Sequence, residues 1–186
     1  MRVIAGTARR LLLKTVEGMD TRPTTDRIKE TLFNMLQPMI PGCKFLDLFS
    51  GSGAIGIEAL SRGAAYAALV EREPAAANCI RENLERTHLA DRARLMERDV
   101  MEALRRLEGY DDVFDIVFLD PPYNQGLEQK VLHYLASSPM AGEETLIVIE
   151  ASKETDFSWL EEEGYTLEKN KEYKTNKHVF VRKKSV

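Results

Sequence analysis

Short apolar runs alternate with amphipathic stretches along most of this chain. The apolar runs have the length of buried strands and cover residues 44–48, 65–71, 92–97, 113–119 and 145–150. Apolar positions at helical spacing predict the helices between them, over residues 54–62, 74–87, 100–107 and 127–137. This alternation of strand and helix predicts a parallel sheet with right-handed crossovers.

The N-terminal part of the chain precedes this alternation. Residues 2–5 and 10–13 predict a short hairpin that turns at Gly6-Thr7. Residues 23–26 (Pro-Thr-Thr-Asp) indicate the start of a helix with a threonine cap and an acidic first turn. Two prolines shortly after residue 36 end that helix, because proline cannot donate the backbone hydrogen bond that a helix needs.

The C-terminal part follows the alternation with a different pattern. Residues 157–163 predict a short helix, and residues 165–171 and 178–182 predict two strands around a turn at 174–177. These strands add an antiparallel hairpin to the sheet. No linker or repeat divides the chain, so we expect one domain over residues 1–186, with a hairpin and helix extension over 1–40 before a core over 41–186.

The composition is that of a globular protein. With 186 residues and a hydrophobic fraction of 44%, the chain is large enough for a full core. No apolar run approaches the length of a membrane span, and the first residues lack the apolar stretch of a signal peptide. Cys43 and Cys79 lie in apolar settings and are expected to be buried thiols, and the scattered histidines show no ligand spacing. We therefore expect a cytoplasmic, monomeric protein without a metal.

Charge is distributed unevenly along the chain. The net charge of −4 argues against a protein that coats nucleic acid. Residues 1–30 nevertheless hold seven basic residues against four acidic ones, whereas the remainder holds 19 against 26, and residues 169–184 are again basic. The two basic segments are expected to make local phosphate contacts. The C-terminal one is explained equally well as solvated surface strands.

A strand, a glycine-rich turn and a helix start coincide within residues 44–56 (Lys-Phe-Leu-Asp-Leu-Phe-Ser-Gly-Ser-Gly-Ala-Ile-Gly). Gly51, Gly53 and Gly56 match the dinucleotide-binding fingerprint, in which glycine allows positive φ and close approach of a ligand. Glu71 ends the next strand about 20 residues further on, where a ribose-binding carboxylate belongs. NAD enzymes share this fingerprint, so it does not identify the ligand.

Asp47 separates the ligands that this turn can hold. It lies just before the glycines, where its carboxylate would repel a pyrophosphate. S-adenosylmethionine carries no phosphate, and its ammonium and sulfonium groups are cationic, so an acidic residue favours it. The alternative explanation of Asp47 is a helix cap or a turn residue.

Residues 120–123 (Asp-Pro-Pro-Tyr), directly after the apolar run 113–119, are the most informative motif of the chain. Proline has no N–H and a fixed φ, so this loop is stiff and offers carbonyl acceptors. Carbonyl acceptors beside a flat aromatic ring suit a planar base that bears an exocyclic amine. The other interpretation is a turn that ends a strand, with the tyrosine packed against it.

These motifs, in this order and separation, resemble the class I S-adenosylmethionine-dependent methyltransferases that act on amino groups. Residues 1–10 (Met-Arg-Val-Ile-Ala-Gly-Thr-Ala-Arg-Arg) and 22–36 (Arg-Pro-Thr-Thr-Asp-Arg-Ile-Lys-Glu-Thr-Leu-Phe-Asn-Met-Leu) narrow the resemblance to the RsmD family of bacterial 16S rRNA guanine-N2 methyltransferases. It spans nearly the whole chain without a departure at the motif positions, although the last third is only generically similar. It implies a Rossmann-like α/β fold with a mostly parallel seven-stranded sheet, helices on both faces and a C-terminal antiparallel hairpin.

The resemblance also implies a cofactor, a partner and roles for residues. The cofactor would be S-adenosyl-L-methionine, and the substrate 16S rRNA within a small-subunit particle. The expected cofactor-binding residues are Asp47, Phe49, Ser50, Gly51, Gly53, Glu71, Arg72, Asp99, Val100 and Asp120. The expected catalytic residues are Asp120, Pro121 and Tyr123. The expected RNA contacts are Arg9, Arg10, Arg22, Thr24, Arg27 and Tyr123.

Other interpretations remain open. A methyltransferase for another amine, such as adenine N6 in DNA, needs a target-recognition region for which 186 residues leave little room. A nicotinamide oxidoreductase fits the glycines but neither Asp47 nor residues 120–123. A non-catalytic RNA-binding module would keep the basic ends without needing a cofactor site. Among single residues, Asp99 also suits a helix cap, and Arg72 and the arginines of residues 22–27 also suit surface ion pairs.

Overall fold

The computed structural model describes residues 1–17 and 25–185. Arg22 and Thr24, two of the expected RNA contacts, lie outside the described residues. The chain divides into two compact units, Met1–Val100 and Met101–Val186. The expectation of one domain with an N-terminal extension over residues 1–40 stays a prediction.

Strands and helices alternate in the first unit. Its strands are β1 (Lys44–Leu48), β2 (Tyr66–Val70) and β3 (Ala93–Met96), and its helices are α1 (Asp26–Leu36), α2 (Ala54–Ser61) and α3 (Pro74–Arg86). Short 3₁₀ helices follow α1 at Gln37–Met39 and precede β3 at Ala90–Arg92. Because β2 pairs in parallel with both β1 and β3, the carboxyl ends of these strands lie along one edge.

The second unit combines a parallel pair of strands with an antiparallel hairpin. Its elements are α4 (Val100–Glu108, which begins at the last residue of the first unit), β4 (Ile116–Leu119), α5 (Leu127–Ser137), β5 (Leu146–Ser152), β6 (Tyr165–Glu172) and β7 (Asn176–Lys183). β4 and β5 are parallel, whereas β7 pairs antiparallel with both β5 and β6. The strands form a seven-stranded sheet in the order β3-β2-β1-β4-β5-β7-β6. The expected sheet, mostly parallel with a C-terminal antiparallel hairpin, is confirmed.

The N-terminal hairpin is less regular than expected. Arg2 and Leu12 form a single antiparallel bridge instead of two paired strands, with a wide turn between them. Three backbone hydrogen bonds still join residues 1–3 to residues 10–13. Ile4 and Ala5 bond to α2 instead, where the Glu58 carboxylate accepts their N–H groups at 2.9 and 3.1 Å, so the pairing does not extend to the turn at Gly6-Thr7. We call residues 1–17 the N-terminal arm.

Two predictions near the C-terminus have the wrong bounds. The short helix expected over residues 157–163 is a 3₁₀ helix that covers only Ser158–Leu160. The Asp156 carboxylate accepts hydrogen bonds from the N–H and hydroxyl of Ser158 at 3.1 and 2.7 Å, and this local side-chain bonding competes with an α-helix. The turn expected at 174–177 is too long, because Asn176 already pairs with β5 and belongs to β7.

Several basic residues serve the fold itself. Lys29 of α1, counted among the basic residues of the N-terminal segment, is buried and pairs with Glu58 at 3.2 Å. In the C-terminal segment, Lys177 and Lys183 donate to backbone carbonyls at 2.8 and 3.0 Å. These charges are held internally, so fewer cations are left to meet phosphate than the sequence indicated.

The cysteines and the helices agree with a globular core. Cys43 and Cys79 are buried free thiols, as expected. Within residues 1–17 and 25–185, no helix has both the length and the apolar character that crossing a bilayer requires. The same residues do not gather three or more His, Cys, Asp or Glu side chains in a geometry that could hold a metal ion.

Candidate active site

The loop after β1 is a tight turn that leads into α2. Gly51 and Gly53 adopt φ of 58° and 84°, and Phe49 is also left-handed at 63°. Left-handed backbone is strained at Phe49 but costs little at a glycine. The Ser50 hydroxyl donates to the Asp47 carbonyl at 2.8 Å, which closes the turn. A Cβ on Gly51 would meet no atom within 4 Å, so the backbone of the turn borders open space.

Asp47 supports this turn from within the protein. Its side chain is 1% exposed, and Oδ2 accepts the N–H of Gly56 in α2 at 3.0 Å. Only glycine allows this approach, since a Cβ on Gly56 would lie 2.8 Å from Leu69 and 3.2 Å from Asp47. Burial raises the pKa of Asp47 to about 7, although the hydrogen bond from the Gly56 N–H acts in the other direction and lowers it. Oδ1 is buried without a hydrogen-bond partner among the described residues, a state that a cationic ligand would relieve.

Glu71 connects the turn to the end of β2. Oε2 accepts the Gly51 N–H at 2.8 Å, and Oε1 accepts the Glu73 N–H at 3.1 Å. A carboxylate has about four lone-pair sites, so both oxygens keep capacity for further donors. Glu71 therefore shapes the turn and can still accept hydroxyl groups from a ligand.

The other candidates of the first unit are more exposed. Arg72 lies on the surface and pairs with Glu73 at 3.4 Å. Asp99 is exposed directly before α4, whose first residue is Val100. Arg72 follows β2 and Asp99 follows β3, so both lie at the same edge as Glu71, because β2 and β3 are parallel. The described RNA candidates on the surface of this unit are Arg9, Arg10 and Arg27.

The loop that connects β4 to α5 belongs to the second unit. Asp120 and Tyr123 are half-buried, and Pro121 is buried. Asn124 and Gly126 are both left-handed, with φ of 62° and 66°. Two prolines followed by two left-handed residues leave this loop few alternative conformations. It presents an acidic and an aromatic side chain from a rigid backbone.

Comparisons with known proteins agree with these features. A family model described as Conserved hypothetical protein 95 matches residues 1–182. The chain belongs to this family. It is 39% identical over 154 residues to Ribosomal RNA small subunit methyltransferase D of Escherichia coli (strain K12). This match covers 83% of the chain and 76% of that relative. It is 35% identical over 172 residues to the Haemophilus influenzae protein of the same name, with 92% and 88% covered.

The fold of this family member closely matches a solved structure. The yhhF protein of Escherichia coli superimposes with a TM-score of 0.85 at 34% identity, and the match covers 99% of this chain and 98% of that one. The resemblance to the RsmD family and the Rossmann-like methyltransferase fold are therefore confirmed. The roles expected of individual residues stay predictions.

Two residues that the sequence reasoning missed hold the turn and the N-terminal arm of this family member. Asn83 of α3 bonds to the backbone of Lys14 and Ser52, and Glu58 of α2 binds the arm and Lys29. Both carry a signal that was available. Asn83 interrupts the apolar stripe of its helix, and Glu58 is the acidic residue in an otherwise apolar helix start.

Proposed function

We propose that this protein is an S-adenosylmethionine-dependent methyltransferase that methylates the N2 amine of a guanine in 16S rRNA. The observation that carries the proposal is the glycine-rich turn with its buried Asp47, in a chain whose relatives are named for small-subunit rRNA methylation. The loop Asp120–Tyr123 supports an amine on a planar base as the acceptor. A buried acid for a cationic donor and an acceptor loop for an amine are both features that methyl transfer to a base requires.

The side chains around the turn fit S-adenosylmethionine. Asp47, with a buried oxygen that lacks a hydrogen-bond partner among the described residues, would favour the cationic methionine portion. Glu71 would accept the ribose hydroxyls, and Asp99 with the N–H of Val100 would bind the adenine. Phe49, Ser50, Gly51 and Gly53 would line the ligand with their backbone. When bound, this donor supplies a methyl group that its positive sulfur already activates.

The loop Asp120–Tyr123 would hold the acceptor base. The guanine amine is a weak nucleophile, because its lone pair is delocalised into the ring. The Pro121 carbonyl and the Asp120 carboxylate would accept its N–H groups, orient the amine and stabilise the charge that develops on nitrogen. Tyr123 would stack on the base once it leaves its helix, a contact worth about 1–3 kcal/mol. The Asp120 carboxylate would also accept the proton that the amine loses.

Nucleoside analysis tests the reaction itself. Small-subunit particles from a strain that lacks this gene would be incubated with the protein and S-adenosylmethionine, and their 16S rRNA digested for mass spectrometry. The expected product is N2-methylguanosine at one position. Methyladenosine in a parallel incubation with duplex DNA, with unmodified guanine in the rRNA, would contradict the proposal.

Replacing Glu71 with alanine is expected to weaken binding of S-adenosylhomocysteine by about 1.5–3 kcal/mol, the range for hydrogen bonds to a charged group. The change removes the ribose acceptor and frees the Gly51 N–H. Titration calorimetry measures the dissociation constant. Glu73→Ala is the matched control, because Glu73 is the exposed acidic neighbour and bonds to Glu71 only through its N–H. Equal affinity in both variants would remove Glu71 from the site.

The affinity for S-adenosylhomocysteine is expected to rise with pH through about 7 and to level off above it. Burial raises the pKa of Asp47 to about 7, so the free protein still carries part of this proton near neutral pH. S-adenosylhomocysteine has no sulfonium, but its ammonium group favours the ionised carboxylate, so binding lowers that pKa and releases the proton, and raising the pH therefore favours the complex. Calorimetry in buffers of different ionisation enthalpy counts the protons released.

Asp47→Asn is the control for this pH dependence. The amide cannot titrate, so the affinity of the variant should change less with pH than that of the wild-type protein. Titration of the ligand itself affects both proteins equally. Identical profiles for the two proteins would contradict the role of Asp47.

Unmodified 30S particles or assembly intermediates are expected to be methylated faster than protein-free 16S rRNA. The described N-terminal arm exposes few arginines, and each phosphate contact adds only a salt-sensitive increment to affinity. Recognition should therefore depend on a preformed RNA shape. Transfer of tritium-labelled methyl groups at several salt concentrations compares the two substrates. A short protein-free RNA hairpin that is methylated as fast as the particle would contradict this prediction.

Charge reversal at Arg9 and Arg10 completes this test. Both side chains are exposed on the N-terminal arm, so Arg9→Glu with Arg10→Glu should raise the KM for the particle and leave the affinity for S-adenosylhomocysteine unchanged. An unchanged KM would remove these arginines from the RNA contact.

A further inference from the structure

The carboxamide of Asn83 connects two segments that are distant in sequence. Asn83 lies on α3 and is fully buried. Its Oδ1 accepts the Lys14 N–H at 2.8 Å, and its Nδ2 donates to the carbonyls of Lys14 and Ser52 at 2.9 and 3.0 Å. Both amide hydrogens are engaged, and the mixture of donor and acceptor partners fixes which way the amide faces.

The bond to Ser52 fixes the glycine-rich turn. Ser52 lies between Gly51 and Gly53, which are both left-handed, and its carbonyl belongs to the peptide that joins it to Gly53, the N-cap of α2. Glycines on both sides leave this peptide unusually free to rotate. A hydrogen bond from a buried side chain therefore holds the backbone that borders the ligand space.

The bonds to Lys14 fix the N-terminal arm. The thiol of Cys79, one turn earlier on α3, also donates to the Lys14 carbonyl, at 3.0 Å, and the Lys14 ammonium pairs with Glu82 at 2.7 Å. The Lys14 side chain is exposed, so the helix holds this residue mainly by its backbone. The chain continues from here into the residues that include Arg22, one of the expected RNA contacts.

We propose that Asn83 is a positioning residue that couples the glycine-rich turn to the N-terminal arm. Through this coupling, methyl donor bound at the turn and RNA bound near the arm strengthen each other's binding, as linkage requires of any coupled pair of sites. The inference rests on the proposed function, since it assigns the donor to the turn and RNA to the arm. Asn83 touches neither ligand and acts through Ser52 and Lys14.

Asn83→Asp tests the coupling with little change in size. The carboxylate has no N–H to donate, so it faces the carbonyls of Lys14 and Ser52 without hydrogen bonds. The dissociation constant for S-adenosylhomocysteine and the KM for 30S particles should each rise by about tenfold, roughly the loss of one net hydrogen bond. The kcat at saturation should change little. Thr87→Val is the matched control, because Thr87 caps the C-terminus of α3 and its buried hydroxyl donates to the backbone carbonyls of Asn83 and Leu84, without a bond to Lys14 or Ser52 among the described residues.

Limited digestion with trypsin measures the coupling itself. Saturating S-adenosylhomocysteine should slow cleavage after Lys14 in the wild-type protein and in Thr87→Val, but not in Asn83→Asp. Cleavage after Arg10 is the internal reference, because backbone hydrogen bonds between Val3 and residues 10 and 11 hold that part of the arm without Asn83. Equal protection in Asn83→Asp, or no protection of a wild-type protein that binds the ligand by calorimetry, overturns the coupling. A wild-type protein that does not bind the ligand at all overturns the proposed function instead.

A second pair of variants keeps the proposal testable if Asn83→Asp fails to fold. Lys14→Pro removes the N–H that Asn83 accepts, whereas Lys14→Ala keeps it and loses the same ion pair with Glu82. The proline variant should bind S-adenosylhomocysteine about tenfold more weakly than the alanine variant. In the alanine variant the ligand should slow cleavage after Glu17 by a protease specific for glutamate, and in the proline variant it should not. Equal affinity and equal protection in the two variants overturn the proposal.

Discussion

Asp120→Ala is expected to lower the kcat for methyl transfer by about 10²–10³-fold, the range for losing one preorganised electrostatic group. Asp120 directly follows the apolar strand β4 and is half-buried at the start of a rigid loop, so its carboxylate is already ordered before a base arrives. Its removal leaves the amine without the acceptor that orients it and draws charge from it. Transfer of labelled methyl groups to unmodified 30S particles measures the loss, and circular dichroism shows that the fold is kept.

The same strand and the same loop provide the controls. Asp115 is an exposed acidic residue just before β4, so Asp115→Ala should leave the rate close to that of the wild-type protein. Tyr123→Ala should lose the stacking contact of about 1–3 kcal/mol, whereas Tyr123→Phe keeps the ring and should keep much of the activity. A Phe variant as inactive as the Ala variant would show that stacking is not the role of Tyr123.

Much of the candidate site could be predicted because its determinants are local. β1 and α5 have the bounds that the hydrophobic pattern indicated, Lys44–Leu48 and Leu127–Ser137. The left-handed backbone at Gly51 and Gly53 follows from the absence of a Cβ, and this can be inferred from neighbouring residues alone. The carboxyl ends of parallel strands share an edge, so Glu71 and Asp99 were expected at the same side of the sheet.

The partners of buried polar groups could not be predicted, because they depend on contacts between distant residues. Asn83 and Lys14 are 69 residues apart, and no periodicity relates them. Lys29 was counted as a surface charge, although its position on α1 places it against Glu58 inside the protein. The hydrophobic pattern says which face of a helix is buried on average, but it does not say which charged residue finds a partner there.

The C-terminal hairpin illustrates the same limit. The sequence around residues 174–177 is polar and typical of a turn, yet Asn176 belongs to β7. Its side chain donates to the buried Glu150 of β5 at 2.8 Å, and its backbone pairs with Ser152. A polar residue therefore extends a strand because the neighbouring strand supplies the acceptor, which is information that only the paired sheet contains.

Glu58→Ala is expected to lower the free energy of unfolding by about 3–5 kcal/mol at pH 7, the range for breaking a buried ion pair by removing one partner. Lys29 and Glu58 are both 0% exposed and lie 3.2 Å apart. Burial lowers the pKa of Lys29, and the charge of Glu58 opposes that shift. Without Glu58 the pKa should fall further, and the ammonium keeps only its bond to the Arg2 carbonyl. Urea denaturation followed by circular dichroism measures the change.

The pH dependence of this variant identifies the buried lysine as the cause. A lysine whose pKa is lowered in the folded state binds fewer protons there than in the unfolded chain, so stability rises as pH increases towards the unfolded pKa of about 10.4. The deficit of Glu58→Ala relative to the wild-type protein should therefore shrink between about pH 7 and 10. Adding Lys29→Met removes the uncompensated charge and should restore part of the stability at pH 7. A deficit that is the same at both pH values and is not relieved by Lys29→Met would mean that Glu58 acts through its ion pair with Arg62 at 2.8 Å and the N–H groups of the N-terminal arm instead of through Lys29.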